Sequence, residues 1–378
     1  MKMKNKIKLR TLAQVAVVGI VLFLTLSHLR YGIEQAAPID AYCPLGAIEG
    51  FLTYVFTGEY LKRIYASSFI LMGILVVSTL LFGRVFCSYF CPLGAIQEWM
   101  RALGRKLGIE KDVELPNGLD AVLRYSKYLV LAAIIYFSYQ AGDLVFRAYD
   151  PFNALMHLGE EFDEKVAGYS ILGILVLVSI FSKNWWCRYF CPLGAVFAVF
   201  KKISPFKISR NASTCVGCGT CSRTCPAGLP VENQMKTKSA DCISCLDCVS
   251  DCPEGSLKAE VFGREISKSK FSLVVIGAFF LPLLIFMATP LWQTKAPSNI
   301  VNTDGEIDLA NLRGSNTLQY LIDITGIPLA VFQEKLRLPA EVDTHLKLKD
   351  IGPEYGVKKE DGSYLEAEDF REVAEQGK

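Results

Sequence analysis

Histidine is nearly missing from this 378-residue chain, which has only His28, His157 and His345. Without a C-x-x-C-H motif covalent haem is excluded, and three imidazoles are too few for a stack of bis-histidine haems. Charge is also scarce, at 21% of residues against 51% hydrophobic. No segment is basic enough to mark a nucleic-acid binder. Beyond the last apolar run there is no Met-rich or His-rich motif, which argues against a copper reductase or metal-delivery factor. A mean hydropathy of +0.30 places the chain among membrane proteins instead.

Apolar runs are abundant. Five stand out, Thr11–Leu29, Tyr65–Phe82, Tyr125–Ala141, Gly168–Phe181 and Phe271–Thr289, and each can form a membrane helix, the fourth only with flanking Val166 and Trp185. The first run follows a basic stretch like a signal peptide, but its length and the spans that follow point to an uncleaved anchor. Five Lys/Arg precede the first span, seven lie between Arg84 and Lys127, and thirteen lie between Lys183 and Lys270. Loops 30–65 and 143–167 hold three and two. By the positive-inside rule the chain is a multi-pass protein of the cytoplasmic membrane, its N-terminus inside and its C-terminus outside.

Compared with itself, the chain repeats a phrase: Cys43-Pro-Leu-Gly-Ala-Ile, Cys91-Pro-Leu-Gly-Ala-Ile, Cys191-Pro-Leu-Gly-Ala-Val and the degenerate Asp150-Pro-Phe-Asn-Ala-Leu. Residues 11–107 and 125–203 read as duplicated two-helix units. Each proline suits the first position of a new helix and disfavours α geometry just before it. The helix after Cys91 reads as lying in the membrane interface, with Leu93, Ile96, Met100, Leu103 and Leu107 on one face and Arg101, Arg105 and Lys106 on a basic one. The inner copies extend to Cys87-x3-Cys91-Pro and Cys187-x3-Cys191-Pro. Four residues apart on a helical turn, each pair shares a face, and duplication brings both pairs to one shared metal centre. Buried thiols or dithiol pairs are the alternatives. The outer copies suggest a quinone site at Cys43, Asp150 and His157, near His28 and Asp40, whose imidazole and carboxylate groups accept protons.

Eight further cysteines form two runs, Cys215-x2-Cys218-x2-Cys221-x3-Cys225-Pro and Cys242-x2-Cys245-x2-Cys248-x3-Cys252-Pro. In this spacing the first three cysteines of a run hold one 4Fe–4S cluster and the fourth crosses to the other. Cluster 1 then takes Cys215, Cys218, Cys221 and Cys252, and cluster 2 takes Cys242, Cys245, Cys248 and Cys225. Structural zinc is the competing reading, but zinc favours separated Cys pairs or Cys/His sets.

Twin C-x3-C-P motifs on a four-helix membrane unit, followed by a bicluster ferredoxin, resemble the polyferredoxin membrane family of NapH, NosR and CcoG type. The resemblance covers roughly residues 11–255. It implies a quinol-dehydrogenase-like electron-transfer subunit, exchanging electrons with quinone or a partner redox subunit, with its ferredoxin domain facing the cytoplasm. The chain departs from the NapH pattern by adding a fifth span and an external segment. It has no flavin-binding domain before the first span as in the NosR type, and no strand pattern like the ending of the CcoG type.

The expected fold class is therefore membrane α-helical. A basic cytoplasmic N-terminus (1–10) precedes the first membrane repeat (11–107) and the second (125–203), which together make four spans. A bicluster ferredoxin-like α+β domain (208–262), a fifth span (271–289) and a small helical extracytoplasmic domain (290–378) follow. In the last, Leu318, Leu321 and Ile322, then Leu329, Phe332 and Leu336, keep helical period between breaks at Gly326-Ile-Pro328 and Leu338-Pro339. It resembles a module appended to other membrane redox proteins and reads as a docking element, with His345 at its surface. Electron transfer between the quinone pool or a cytoplasmic reductant and a partner redox complex is the leading function. A copper reductase or assembly factor and a redox-sensing regulator are the alternatives, the latter without a visible output domain.

Overall fold

The computed structural model describes residues 9–35, 39–57, 65–110, 112–113, 115–141, 145–157, 162, 165–294, 309, 312, 314, 316–359 and 363–376. They fall into two compact units, Met1–Thr294 and Lys295–Lys378.

Within the first unit two stretches carry the same order of elements. Helix α1 (Leu9–Gln35), a 3-10 turn at Ile39–Tyr42, α2 (Pro44–Thr57), α3 (Ala66–Phe82) and α4 (Pro92–Lys106) come first. After a short α5 (Asn117–Leu123) follow α6 (Ser126–Ala141), a 3-10 turn at Val145–Ala148, α7 (Pro151–His157), α8 (Val166–Phe181), a short α9 (Trp185–Tyr189) and α10 (Pro192–Lys201). Four helices thus open on the proline of the repeated phrase, where the missing N–H is no loss. Among the described residues three stretches are long and apolar enough to cross a membrane, Leu9–Arg30, Gly118–Gln140 and Lys268–Met287. At about 1.5 Å per residue, α3 and α8 reach only about 26 and 24 Å, short of a hydrocarbon core of about 30 Å.

The helix expected to lie in the interface keeps Arg105 and Lys106 exposed but not Arg101. Instead α4 buries Leu93, Gln97, Arg101 and Gly104, and packs on α8 so closely that a Cβ on Gly104 would lie 2.1 Å from the Ile180 carbonyl oxygen. Arg101 is drawn inward because this close approach leaves carbonyls to satisfy: it donates to those of Ile109 and Ile180 and pairs with Asp112. Leu103 and Leu107 point outward. Gly104→Val should lower stability by about 1–3 kcal/mol, because overpacking against backbone outweighs the roughly 1 kcal/mol that replacing a helical glycine can return. Gly173→Ala in α8, where nothing lies within 4 Å, should not. Thermal unfolding of the two variants in detergent checks this, and equal midpoints would refute it.

After α10 the chain enters the ferredoxin region. A four-stranded antiparallel sheet has the order β2-β1-β3-β4, with β1 Lys207–Arg210, β2 Lys236–Thr237, β3 Leu257–Val261 and β4 Arg264–Ile266. Two single-turn helices, α11 (Thr220–Arg223) and α12 (Asp247–Ser250), sit inside the cysteine runs. Phe262 and Gly263 both take positive φ, 51° and 78°, as a two-residue hairpin turn requires. Helix α13 (Lys268–Met287) follows, its Phe279 stacked on Phe90 at 4.1 Å.

The second unit is helical in its described part: α14 (Leu318–Thr325), α15 (Leu329–Leu336), α16 (Leu348–Tyr355) and α17 (Ala367–Gln376). Leu318, Leu321 and Gly326 recur at identical spacing as Leu348, Ile351 and Gly356. Both glycines cap their helices in the left-handed region, at φ 70° and 65°.

Candidate redox centres

The two ferredoxin runs wrap their thiols by the same backbone device. In the first, Gly217 and Gly219 take positive φ; in the second, the corresponding Ser244 and Leu246 do so, at 55° and 60°. Outside glycine that conformation is strained and persists only where surroundings demand it. Cys215, Cys218, Cys221 and Cys252 line one cavity. Cys225, Cys242, Cys245 and Cys248 are all buried, and the Leu229 N–H donates to the Cys225 sulfur at 3.5 Å. Arg210 holds the half-buried Cys215 thiol below its usual range. Burial pushes the Cys245 and Cys248 thiols well up, reinforced by Asp247 and by the thiols around them.

Inside the membrane unit, all four copies of the repeated phrase meet. Pro44 and Leu45, Cys87 and Cys91, Asp150, and Cys187 and Cys191 line a single cavity, together with apolar side chains such as Phe86, Leu93 and Trp186. The thiols of a pair are not an α-helical pair. Cys91 sits outside the helix because Pro92 bars α geometry there, and both motifs close in a wide turn, Cys91 N–H to the Phe86 carbonyl and Cys191 N–H to the Trp186 carbonyl, each at 2.9 Å. Cys91 and Cys191 then cap α4 and α10, their sulfurs accepting from the Gly94 and Gly194 N–H groups at 3.4 and 3.3 Å. The N-termini of α2, α4 and α10 open at this cavity, so their dipoles favour negative charge there. Gln97 donates to the Cys187 sulfur at 3.5 Å and accepts from the Trp186 N–H at 3.2 Å.

The structure places the residues of the expected outer quinone site in different surroundings. Asp150 is buried on the cysteine cavity, and its carboxylate accepts from the Phe152 N–H at 3.0 Å, which turns it inward at the start of α7. Cys43 and His157 are not among the residues lining that cavity; His157 lies buried on α7 with its Nδ1 2.9 Å from the Asn153 carbonyl. The side chain of Asp40 lies outside the described residues.

Between the membrane cavity and the second ferredoxin run lies a charged seam. Arg84, 1% exposed, reaches the Cys87 sulfur at 3.9 Å and Asp241 at 3.4 Å. Arg124 and Lys127 also pair with Asp241. Burial alone would raise the Asp241 carboxyl, but Arg84, Lys127 and Arg124 outweigh it and hold it below its usual range. Ser88 donates to the Ile243 carbonyl at 2.7 Å, and Arg10 at the start of α1 bridges Glu98 and Asp247 at 3.1 and 2.8 Å. Sequence reasoning missed Arg84, Gln97 and Asp241. Arg84 entered it only as a charge orienting a loop, although an arginine inside so apolar a stretch is itself a signal.

Among the described residues no three His, Cys, Asp or Glu side chains converge closely enough to bind a single ion. The thiols of the first ferredoxin run and of the C-x3-C-P motifs each ring a cavity instead, which suits ligands that each take a different iron of a cluster. The chemistry of the donor sets, all thiols, fits iron–sulfur ligation.

Two family models match. One described as a 4Fe-4S binding domain covers residues 66–110 and 165–211, and one described as a 4Fe-4S dicluster domain covers 207–253. The putative electron transport protein YccM of Escherichia coli is 30% identical over 281 residues, 71% of this chain and 78% of that protein. The regulatory protein NosR of Pseudomonas aeruginosa is 31% identical over 200 residues, 52% of this chain but 27% of NosR. The methylamine utilization ferredoxin-type protein MauN of Methylobacillus flagellatus is 28% identical over 167 residues, 41% of this chain and 54% of MauN. No solved structure matches.

Proposed function

The chain belongs to the NosR/NapH-type polyferredoxin-like family of membrane electron-transport proteins with 4Fe–4S domains, and from that premise we propose that it passes electrons between the quinone pool and a partner redox subunit through three centres in series. Cys215, Cys218, Cys221 and Cys252 hold the first; Cys242, Cys245, Cys248 and Cys225 hold the second; Cys87, Cys91, Cys187 and Cys191 hold the third. When bound, iron–sulfur clusters take up and release single electrons without moving atoms far, and the residues around them set the potential. The Gly94 and Gly194 amides, the Gln97 amide and the helix N-termini stabilise charge on the third set of sulfurs. The observation that carries the reading is the meeting of both C-x3-C-P motifs on one cavity, beside the seam that leads to the second ferredoxin run.

Titration of the purified protein with menaquinol and, separately, with Cu(II) tests the function. Reduction of the clusters by quinol, with inertness of the reduced protein toward copper, supports it. Clusters that ignore quinol but reduce copper would replace it with metal reduction.

The same reading places the N-terminus and the ferredoxin domain in the cytoplasm, with α1, α3, α6, α8 and α13 as spans and residues 290–378 outside. The charge asymmetry of the loops supports it. A reporter fused after Lys378 should behave as extracytoplasmic; cytoplasmic behaviour would reverse the orientation.

A further inference from the structure

The geometry points to Arg84 as the residue that sets the potential of the centre held by the C-x3-C-P cysteines and couples it electrostatically to the second ferredoxin run. The inference rests on the reading that those four cysteines hold a centre. Arg84 belongs to neither cysteine motif, yet its guanidinium touches both. One amino group, Nη2, lies 3.9 Å from the Cys87 sulfur, and the other, Nη1, lies 3.4 Å from the Ala240 carbonyl and 3.4 Å from Asp241, the residue before Cys242. A Cβ added to Gly194, in the turn after Cys191, would meet Nη2 at 2.8 Å. The phrase from the second repeat therefore keeps its glycine where the guanidinium of the first must fit.

The guanidinium is enclosed almost completely, and its Nε has no hydrogen-bond partner among the described residues. Leaving that donor unsatisfied and burying the charge are both unfavourable. Asp241 offsets only part of the charge, because Arg124 and Lys127 draw on the same carboxylate. Surplus positive charge is thus held between two sets of thiolate ligands. Arginine stays protonated throughout the working range of pH, so the surplus does not titrate away. A fixed cation in hydrogen-bond reach of a ligand sulfur favours the more negative, reduced state of what that sulfur holds, and so raises its potential. The same guanidinium feels an electron arriving at the second run through Asp241 and Ala240. Its attraction acts on both sites, so the one fixed charge raises the potential of each.

The sign of the effect separates this role from packing. Arg84→Gln removes the cation and should shift the reduction equilibrium of the C-x3-C-P centre at least tenfold toward the oxidised state, a fall of about 59 mV or more for a one-electron couple. Asp241→Asn removes the countercharge without touching a sulfur, and should shift it the opposite way. Arg84→Lys, which keeps the charge and loses the fork, should fall between Arg84→Gln and wild type. Potentiometric titration followed by electron paramagnetic resonance, with iron per chain counted in each variant, reads all three. Shifts of the same sign in Arg84→Gln and Asp241→Asn, or potentials within twofold of the wild-type equilibrium while the centre's iron is retained, overturn the inference. Should Arg84→Gln fail to load the centre, Asp241→Asn and Arg84→Lys decide by the same signs. Iron unchanged from wild type in a Cys87→Ser, Cys187→Ser chain overturns the underlying reading instead, since no centre would then exist to be tuned.

Discussion

Serine at both Cys87 and Cys187 should remove about four irons per chain and leave about eight, those of two 4Fe–4S clusters. These two positions isolate ligation from folding. Cys91 and Cys191 cap α4 and α10 through the Gly94 and Gly194 N–H groups, so their loss would mix an uncapped helix with a lost ligand. Cys87 and Cys187 cap nothing; each lies buried on the common cavity, one beside Arg84 and the other beside Gln97. Serine is close in size but a poor iron ligand, so the cavity should stay shaped while its cofactor is lost. The ferredoxin fold, whose core is formed by residues such as Ile208, Leu229, Leu257 and Ala259, should report its signals unchanged. Iron content equal to wild type in the double variant, with both ferredoxin signals present, would remove the third centre from the scheme.

The second large effect is expected at Cys225. Although it closes the first run, its sulfur is buried with Cys242, Cys245 and Cys248 and accepts from the Leu229 N–H, while the cavity of the first run is completed by Cys252. Cys225→Ala should therefore abolish or convert the cluster of the second run and spare the cluster held by Cys215, Cys218, Cys221 and Cys252. Removing one of four thiolates from a buried site leaves iron without a donor that solvent can readily replace, so a loss near completeness is expected. Spectra in which only the first-run cluster disappears would show that each run serves itself.

Much of this arrangement is legible in sequence because proline and cysteine carry strong local rules. Pro44, Pro92, Pro151 and Pro192 mark helix starts wherever they fall in the phrase, and the ferredoxin spacing brings its own ligand logic. The apolar periodicity of Leu318, Leu321, Leu329 and Phe332 gives the helices of the C-terminal unit in the same local way. What depends on packing between distant segments is not legible. The inward turn of Asp150 and the burial of Arg101 follow from how α4, α7 and α8 meet. A residue's type says only that such burial needs a partner, not that the partner is Asp112 or the Ile180 carbonyl. Ser244 and Leu246 show a different limit. Glycine at the matching positions of the first run signals the left-handed backbone, but the second run adopts it with side chains that by themselves argue against it.

The seam of Arg10, Ser88 and Arg84 has a consequence for how current would flow. A ferredoxin tethered by a loose linker could swing between donor and acceptor, and its traffic would be governed by diffusion. Here the region is fastened to the membrane helices at Asp247, Ile243 and Asp241, so in the proposed route the carriers form a fixed series circuit with one terminal at each end. The two runs are not equivalent in it. Cys218 is exposed and Cys215 half-exposed, whereas Cys242, Cys245 and Cys248 are buried. In the proposed route the first run, with its exposed sulfur, faces the partner redox subunit, and the second is the link in the middle. Disabling the middle link should therefore leave both ends individually reducible, each by its own partner, while stopping net transport between them.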